Sequence, residues 1–228
     1  MVLKRSLQAG VTLIEMLIVV AIIAVVSTVL MFNYSDFSTN VSVRNLSQEI
    51  ALAVRKAQTY ATSVRAIDGT NLISSSAFPG YGIVFTSQPA PTVLSSIVPT
   101  NHRFVLFADI ADGLIADRMY GADTAAERCG EPTSSQNECI ETFEITTADQ
   151  IVAICGDATR AYVSHTTTPC TGSTPTGDTV SISFRRPSPD AYILYNGQPS
   201  TYAQLVLRSP KGLTRSVVVW NTGQVSVQ

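Results

Sequence analysis

Gly10-Val11-Thr12-Leu13-Ile14-Glu15 opens an apolar run that continues from Met16 through Val19, Ile22, Val25 and Leu30 to Phe32, with Glu15 as its only charge. A helix of about 20 apolar residues crosses a bilayer, so this run is long enough to span one. Lys4 and Arg5 precede it. Positive residues beside a span stay cytoplasmic, which sends the rest of the chain outward. The fold therefore begins with a helix that does not belong to a soluble core.

Two plainer readings compete. A secretory signal peptide has a shorter apolar core, about 7–15 residues, and an A-x-A-like cleavage site; Val26-Ser-Thr-Val-Leu30 offers none. A simple signal anchor accounts for the length but not for Glu15. A carboxylate in a span costs on the order of 2.5–3.5 kcal/mol near the centre and less near an end, so an intramembrane charge points to function.

Removal of the basic segment after Gly10 gives Glu15 a use. Val11 would then bear a new α-amino group, one helical turn from the carboxylate. In a bundle of parallel helices, Glu15 of one subunit can meet the Val11 amine of the next. Two charges buried in an apolar bundle seek each other, and the pair sets axial register.

Gly10-Val-Thr-Leu-Ile-Glu15, with a basic leader before it and an apolar helix after it, resembles the prepilin motif of type IV pilins and type II secretion pseudopilins. The resemblance implies cleavage after Gly10 by a prepilin peptidase, N-methylation of Val11 and a part for Glu15 in assembly. It implies as partners other pilin or pseudopilin subunits, the peptidase, an inner-membrane assembly platform and the membrane itself. Val11 stands where the family more often has Phe or Met, and no proline precedes Pro79.

Beyond the membrane segment, Val43, Leu46, Ile50, Val54, Ala57, Ala61 and Val64 recur at three- and four-residue steps, with Arg44, Gln48, Arg55 and Thr62 off the stripe. That spacing predicts a helix whose apolar face packs on the protein's own sheet. Asp68-Gly69 offers a stop. One helix from Val11 to Ala66 would measure on the order of 80 Å at 1.5 Å per residue.

From Tyr81 onward the pattern changes to short β-rich runs: 82–85, 103–107, 143–146, 151–155, 179–184, 191–194, 202–207, 216–220 and 224–227. Turn residues separate them, including Ser209-Pro-Lys-Gly212 and Asn221-Thr-Gly223. These predict an antiparallel meander or two packed sheets, with loops at 86–100, 120–140 and 165–178. The fold class expected is α+β, divided into a leader (1–10), a membrane or filament-core helix (11–32), an amphipathic stem (33–68) and a β-rich head (69–228). The order of elements, with Arg185-Arg-Pro ahead of a late hairpin and a terminal Asn-Thr-Gly-Gln-Val-Ser-Val run, is similar to the minor pseudopilin H and FimT-like group.

Composition bounds function. Of 228 residues, 45% are hydrophobic and 14% charged, with a net charge of −2. This is too apolar for a disordered chain and too weakly charged for a general nucleic-acid binder. The cysteines are Cys129, Cys139, Cys155 and Cys170, without a CxxC pair. Outside the cytoplasm an even count reads as two disulfides. Of the three connectivities, Cys129–Cys139 and Cys155–Cys170 is preferred, because both intervals are polar and turn-rich.

No G-x-S-x-G, H-E-x-x-H or Gly-rich phosphate loop is present, and no enzymatic activity is expected. His102 and His165 read as solvated side chains. Asp109, Asp112 and Asp117 bracket Gly113, and calcium takes carboxylates around a Gly turn. The segment lacks alternating D-x-D-x-D spacing, so a solvated acidic loop is the preferred reading and no cofactor is otherwise expected. Arg185, Arg186, Arg208, Lys211 and Arg215 could form a basic patch on adjacent strands, but solvated edge charges that discourage aggregation are the preferred reading. The 223–228 tail lacks Lys and Arg, which DNA phosphates would need. A structural subunit of a pilus or pseudopilus is therefore read first, in the inner membrane with an extracytoplasmic head. A pilus-borne DNA receptor or adhesin stands second, and a tethered enzyme third.

Overall fold

The computed structural model describes residues 11–63, 79–89, 97–110, 117–121, 129, 138–156 and 177–228, with the backbone alone for 32–36. The expected Asp68-Gly69 stop, Val64, Asp112, His165 and Cys170 lie outside these residues. The described chain is α+β: one helix, α1 (Leu13–Thr62), followed by ten strands. These are β1 (Gly80–Thr86), β2 (Arg103–Asp109), β3 (Cys139–Glu144), β4 (Gln150–Cys155) and β5 (Thr179–Phe184), then β6 (Ala191–Tyr195), β7 (Gln198–Ser200), β8 (Tyr202–Arg208), β9 (Thr214–Trp220) and β10 (Val225–Val227). The chain divides into two compact units, residues 1–40 and 41–228.

In the first unit the helix presents its apolar side chains outward: Leu13, Leu17, Val20, Ile23, Val26 and Leu30 are all exposed. The second unit begins at Val41 and holds the rest of the helix and both sheets. Here the 3.6-residue period does what a soluble amphipathic helix does. Val43, Leu46, Ile50, Val54, Ala57 and Ala61 are buried, joined by Ala53, while Arg44, Gln48, Arg55 and Thr62 face out.

All strand pairs are antiparallel. The six-stranded sheet has the order β3-β2-β1-β5-β6-β7, and the four-stranded sheet β10-β9-β8-β4. The chain is therefore not one meander. It lays down β1–β3, crosses to the second sheet for β4, and returns to place β5 against β1. After β7 it re-enters the second sheet, where β8 pairs with β4.

Alternate residues of a strand face opposite ways, and β1 is buried on both sides. Tyr81, Ile83 and Phe85 join the main core with the stem stripe, Phe104 and Leu106 of β2, Ile182 of β5, and Leu205, Val217 and Val219 of the second sheet. The helix is thus the shared filling between two sheets. The opposite face of the six-stranded sheet carries a smaller core of Val84, Ile97, Val105, Phe107 and Cys139, with Tyr120 and Cys129 against it.

Polar ties fix the stem in place. The Asp149 carboxylate, buried at the start of β4, accepts from Ser42 on the helix and from Thr147. Lys56 pairs with Glu141 of β3 and lies over the Phe143 ring. Near the end of the stem, Gln58 Nε2 donates to the Pro189 carbonyl at 2.8 Å.

Two strand expectations change. The strand expected at 143–146 runs instead over Cys139–Glu144, because it pairs with β2 from Arg103↔Glu144 to Phe107↔Cys139. Strand β7 was not among the expected runs. It follows Asn196-Gly197, whose φ values of 48° and 77° make the two-residue turn that reverses β6 onto it.

Candidate assembly helix and the sites of the head

The helix that would anchor the chain starts at Leu13, and Thr12 is its N-cap: the Thr12 hydroxyl accepts from the Glu15 backbone N–H at 3.3 Å. The Met16 N–H then donates to the Thr12 carbonyl, closing the first turn. Thr12-Leu-Ile-Glu15 has the S/T-x-x-E spacing of a capping box. Three features therefore meet in one turn. Thr12 satisfies a backbone donor that lipid cannot, Glu15 sits at the positive end of the helix dipole, and Val11 lies just before the cap. The sequence reading assigned Glu15 to assembly but missed Thr12; the T-x-x-E signature was the signal that could have found it.

From Leu13 to Met31 the helix is apolar enough to cross a membrane, with a mean hydropathy of 2.8 and none of it buried in the protein. Two hydroxyls, Ser27 and Thr28, lie within it, and Thr28 Oγ1 donates to the Ala24 carbonyl at 2.8 Å. Backbone polar groups in lipid must be paired within the segment, and a capped α-helix meets that demand. What remains unmatched is the exposed side-chain surface and the Glu15 carboxylate, which is also exposed.

In the head, Cys129 and Cys139 form a disulfide with Cα atoms 4.7 Å apart. Cys155 is also disulfide-bonded, while Cys170 lies outside the described residues. The Cys129–Cys139 bridge sits in the smaller core on the outer face of the six-stranded sheet.

Of the three aspartates, Asp109 and Asp117 are among the described residues and Asp112 is not. Asp109 is buried, and its Oδ1 accepts from the Arg118 N–H at 3.1 Å. Asp117 is exposed, and its Oδ1 accepts from the Met119 N–H at 2.9 Å. Among the described residues, no group of three or more His, Cys, Asp or Glu side chains is placed to hold a metal ion. Asp109 instead neighbours Glu138, which sequence reasoning did not single out. Glu138 is buried, with Oε1 taking the Ile110 N–H at 2.7 Å and Oε2 the Gly121 N–H at 2.8 Å. Burial pushes the Glu138 carboxyl up to about 9, against the two backbone N–H groups that favour its ionised form. Burial likewise raises Asp109, with the Arg118 N–H opposing. Nothing in the sequence around Glu138 announces a buried acid.

His102 is half-buried rather than solvated, its Nδ1 within 2.8 Å of Asn101 Oδ1. The five basic residues do not share adjacent strands. Arg208 ends β8, and Lys211 and Arg215 flank the turn into and along β9 in the four-stranded sheet, whereas Arg185 and Arg186 follow β5 in the other.

Residues 5–31 match the family model described as the prokaryotic N-terminal methylation motif. No curated protein and no solved structure matches the chain. A matched methylation motif, an unburied apolar helix capped beside Glu15 and a head of antiparallel sheets around the stem together support a type IV pilin-like protein.

Proposed function

We propose that the chain is a non-enzymatic subunit of a type IV pilus or type II secretion pseudopilus, cleaved after Gly10, N-methylated at Val11 and assembled through its N-terminal helix. The observation that supports this most is the surface of Leu13–Met31: apolar, wholly unburied, and interrupted by one carboxylate a single turn from the cleavage point. Lipid covers such a surface in the stored subunit, and neighbouring helices cover it in a filament. The head faces the extracytoplasmic side. The Cys129–Cys139 bridge suits that oxidising compartment, and Lys4 and Arg5 suit a cytoplasmic leader. The late hairpin β9–β10 agrees with a place near the minor pseudopilin H and FimT-like group.

Glu15→Ala tests the role of the carboxylate. Removing it leaves the Val11 amine of the neighbour unpaired in an apolar bundle, a cost of a few kcal/mol. Since about 1.4 kcal/mol is tenfold, incorporation into sheared filaments, set against the membrane pool, is expected to fall at least about tenfold. Glu49→Ala, an exposed stem carboxylate, should leave it unchanged. Normal incorporation of the Glu15→Ala chain would contradict the register role.

A further inference from the structure

Residues 117–121 cross the outer face of the six-stranded sheet, and several ties hold this short segment to other described residues. The Arg118 N–H donates to Asp109 and its carbonyl accepts from Ser181 Oγ on β5 at 3.0 Å. The Arg118 guanidinium lies over the Tyr192 ring of β6, 3.9 Å from its centroid. The Tyr120 hydroxyl donates to the Ile97 carbonyl at 2.7 Å, and its ring packs on Phe107. Gly121 exchanges backbone bonds with Glu138 on both sides, its N–H going to the side chain and its carbonyl taking the Glu138 N–H. Arg118 has a φ of 63°, a conformation a non-glycine residue keeps only where its surroundings hold it there.

Two of these anchors are carboxyls buried beside each other at the exit of β2 and the entry to β3. Asp109 and Glu138 are each only a few per cent exposed. We propose that residues 117–121 form a strap whose closure over Phe107 and its neighbours is tied to protonation of the Asp109–Glu138 pair, tightening in acid and loosening in base. In the closed strap both groups lie away from water; in the open strap they regain it.

Among the described residues, the following charged groups face the pair. Asp117 faces both carboxyls and raises them, and Tyr120 is held un-ionised by burial beside Glu138. Arg118 and Arg185 face Asp109 and favour its ionised form. Among the described residues no cation acts on Glu138; burial dominates, and Asp109 and Asp117 add to it. A carboxyl whose closed-state value is raised holds its proton when closed and loses it when open. Closure is then strongest below the ordinary carboxylate value, 4.5, and weakens as pH rises toward about 9. While one proton is exchanged, the opening constant changes by up to about tenfold per pH unit.

Hydrogen exchange of the full chain in detergent reads this directly. Opening constants for the Ile110 and Gly121 amides are taken at pH 5 to 8, each corrected for the intrinsic rate of a free amide. They should rise several-fold per pH unit in the native chain, while the β8–β9 amides stay level. In Glu138→Gln the rise should shrink or vanish. A level response at Gly121, an equal rise in β8–β9, or an undiminished slope in Glu138→Gln would each overturn the strap. If that variant fails to fold, the carboxyl carbon of Glu138 in the unaltered chain decides. A titration midpoint well above 4.5 supports the proposal, and one at the ordinary value overturns it.

Discussion

Phe107 of β2 lies across Gly82 of β1, its direct partner in the register: a Cβ at position 82 would stand 2.5 Å from Phe107 Cζ. The glycine is there to make room. It lets the ring lie flat on the strand and complete the smaller core with Val84, Val105 and Ile97. A methyl group would also meet the Ile182 carbonyl at 3.0 Å on the other neighbouring strand, so neither side can yield freely. Gly82→Ala should therefore destabilise the head by about 1–3 kcal/mol, the usual cost of overpacking a filled core. Urea denaturation checks it, and an unchanged midpoint would mean that Phe107 repacks without strain.

The same small core contains the Cys129–Cys139 bridge, which closes a loop with a sequence separation of 10. A bridge of that span removes unfolded-state entropy on the order of 2–3 kcal/mol in the chain-entropy account. The double substitution Cys129→Ser, Cys139→Ser is expected to lower stability by that amount, and calorimetry of the two proteins would show it. Equal melting temperatures would place the stability of this face in its packing alone.

At the other end of the chain, Thr12 caps the helix that bears Glu15. Thr12→Ala removes the acceptor for an N–H that nothing in lipid replaces, and caps of this kind contribute about 1 kcal/mol. Amide exchange at Glu15 and Met16 in micelles should quicken several-fold in Thr12→Ala and return toward native values in Thr12→Ser. Exchange that ignores the substitution would show that the first turn holds without its cap.

What the sequence disclosed follows from the range of each interaction. The stem stripe from Val43 to Ala61 was legible because a 3.6-residue period is local, and those residues are buried as the period required. The Thr179–Phe184 strand was legible for the same reason, since alternation is a property of the strand itself. Sheet order was not. Nothing near Gln150 says that β4 will leave its predecessors and pair with β8, since that choice is made by residues more than fifty positions away. The short β7 lies in a stretch too brief to show a period, and only the Asn196-Gly197 turn signalled it. Gly10, Val11 and Glu15 could be singled out because a charge stands out in an apolar run. Glu138 could not, because its burial is produced by Ile110 and Gly121 meeting it from distant parts of the chain.

A subunit that assembles through this helix must first be processed, and every later step requires that cleavage. Co-expression of the full chain with a prepilin peptidase, followed by intact-mass measurement, tests it most directly. The expected product begins at Val11, with the mass of one added methyl group where the methyltransferase activity is present. A chain that keeps residues 1–10 under these conditions would contradict it, and would leave a membrane-anchored β-sheet head with no route into a filament.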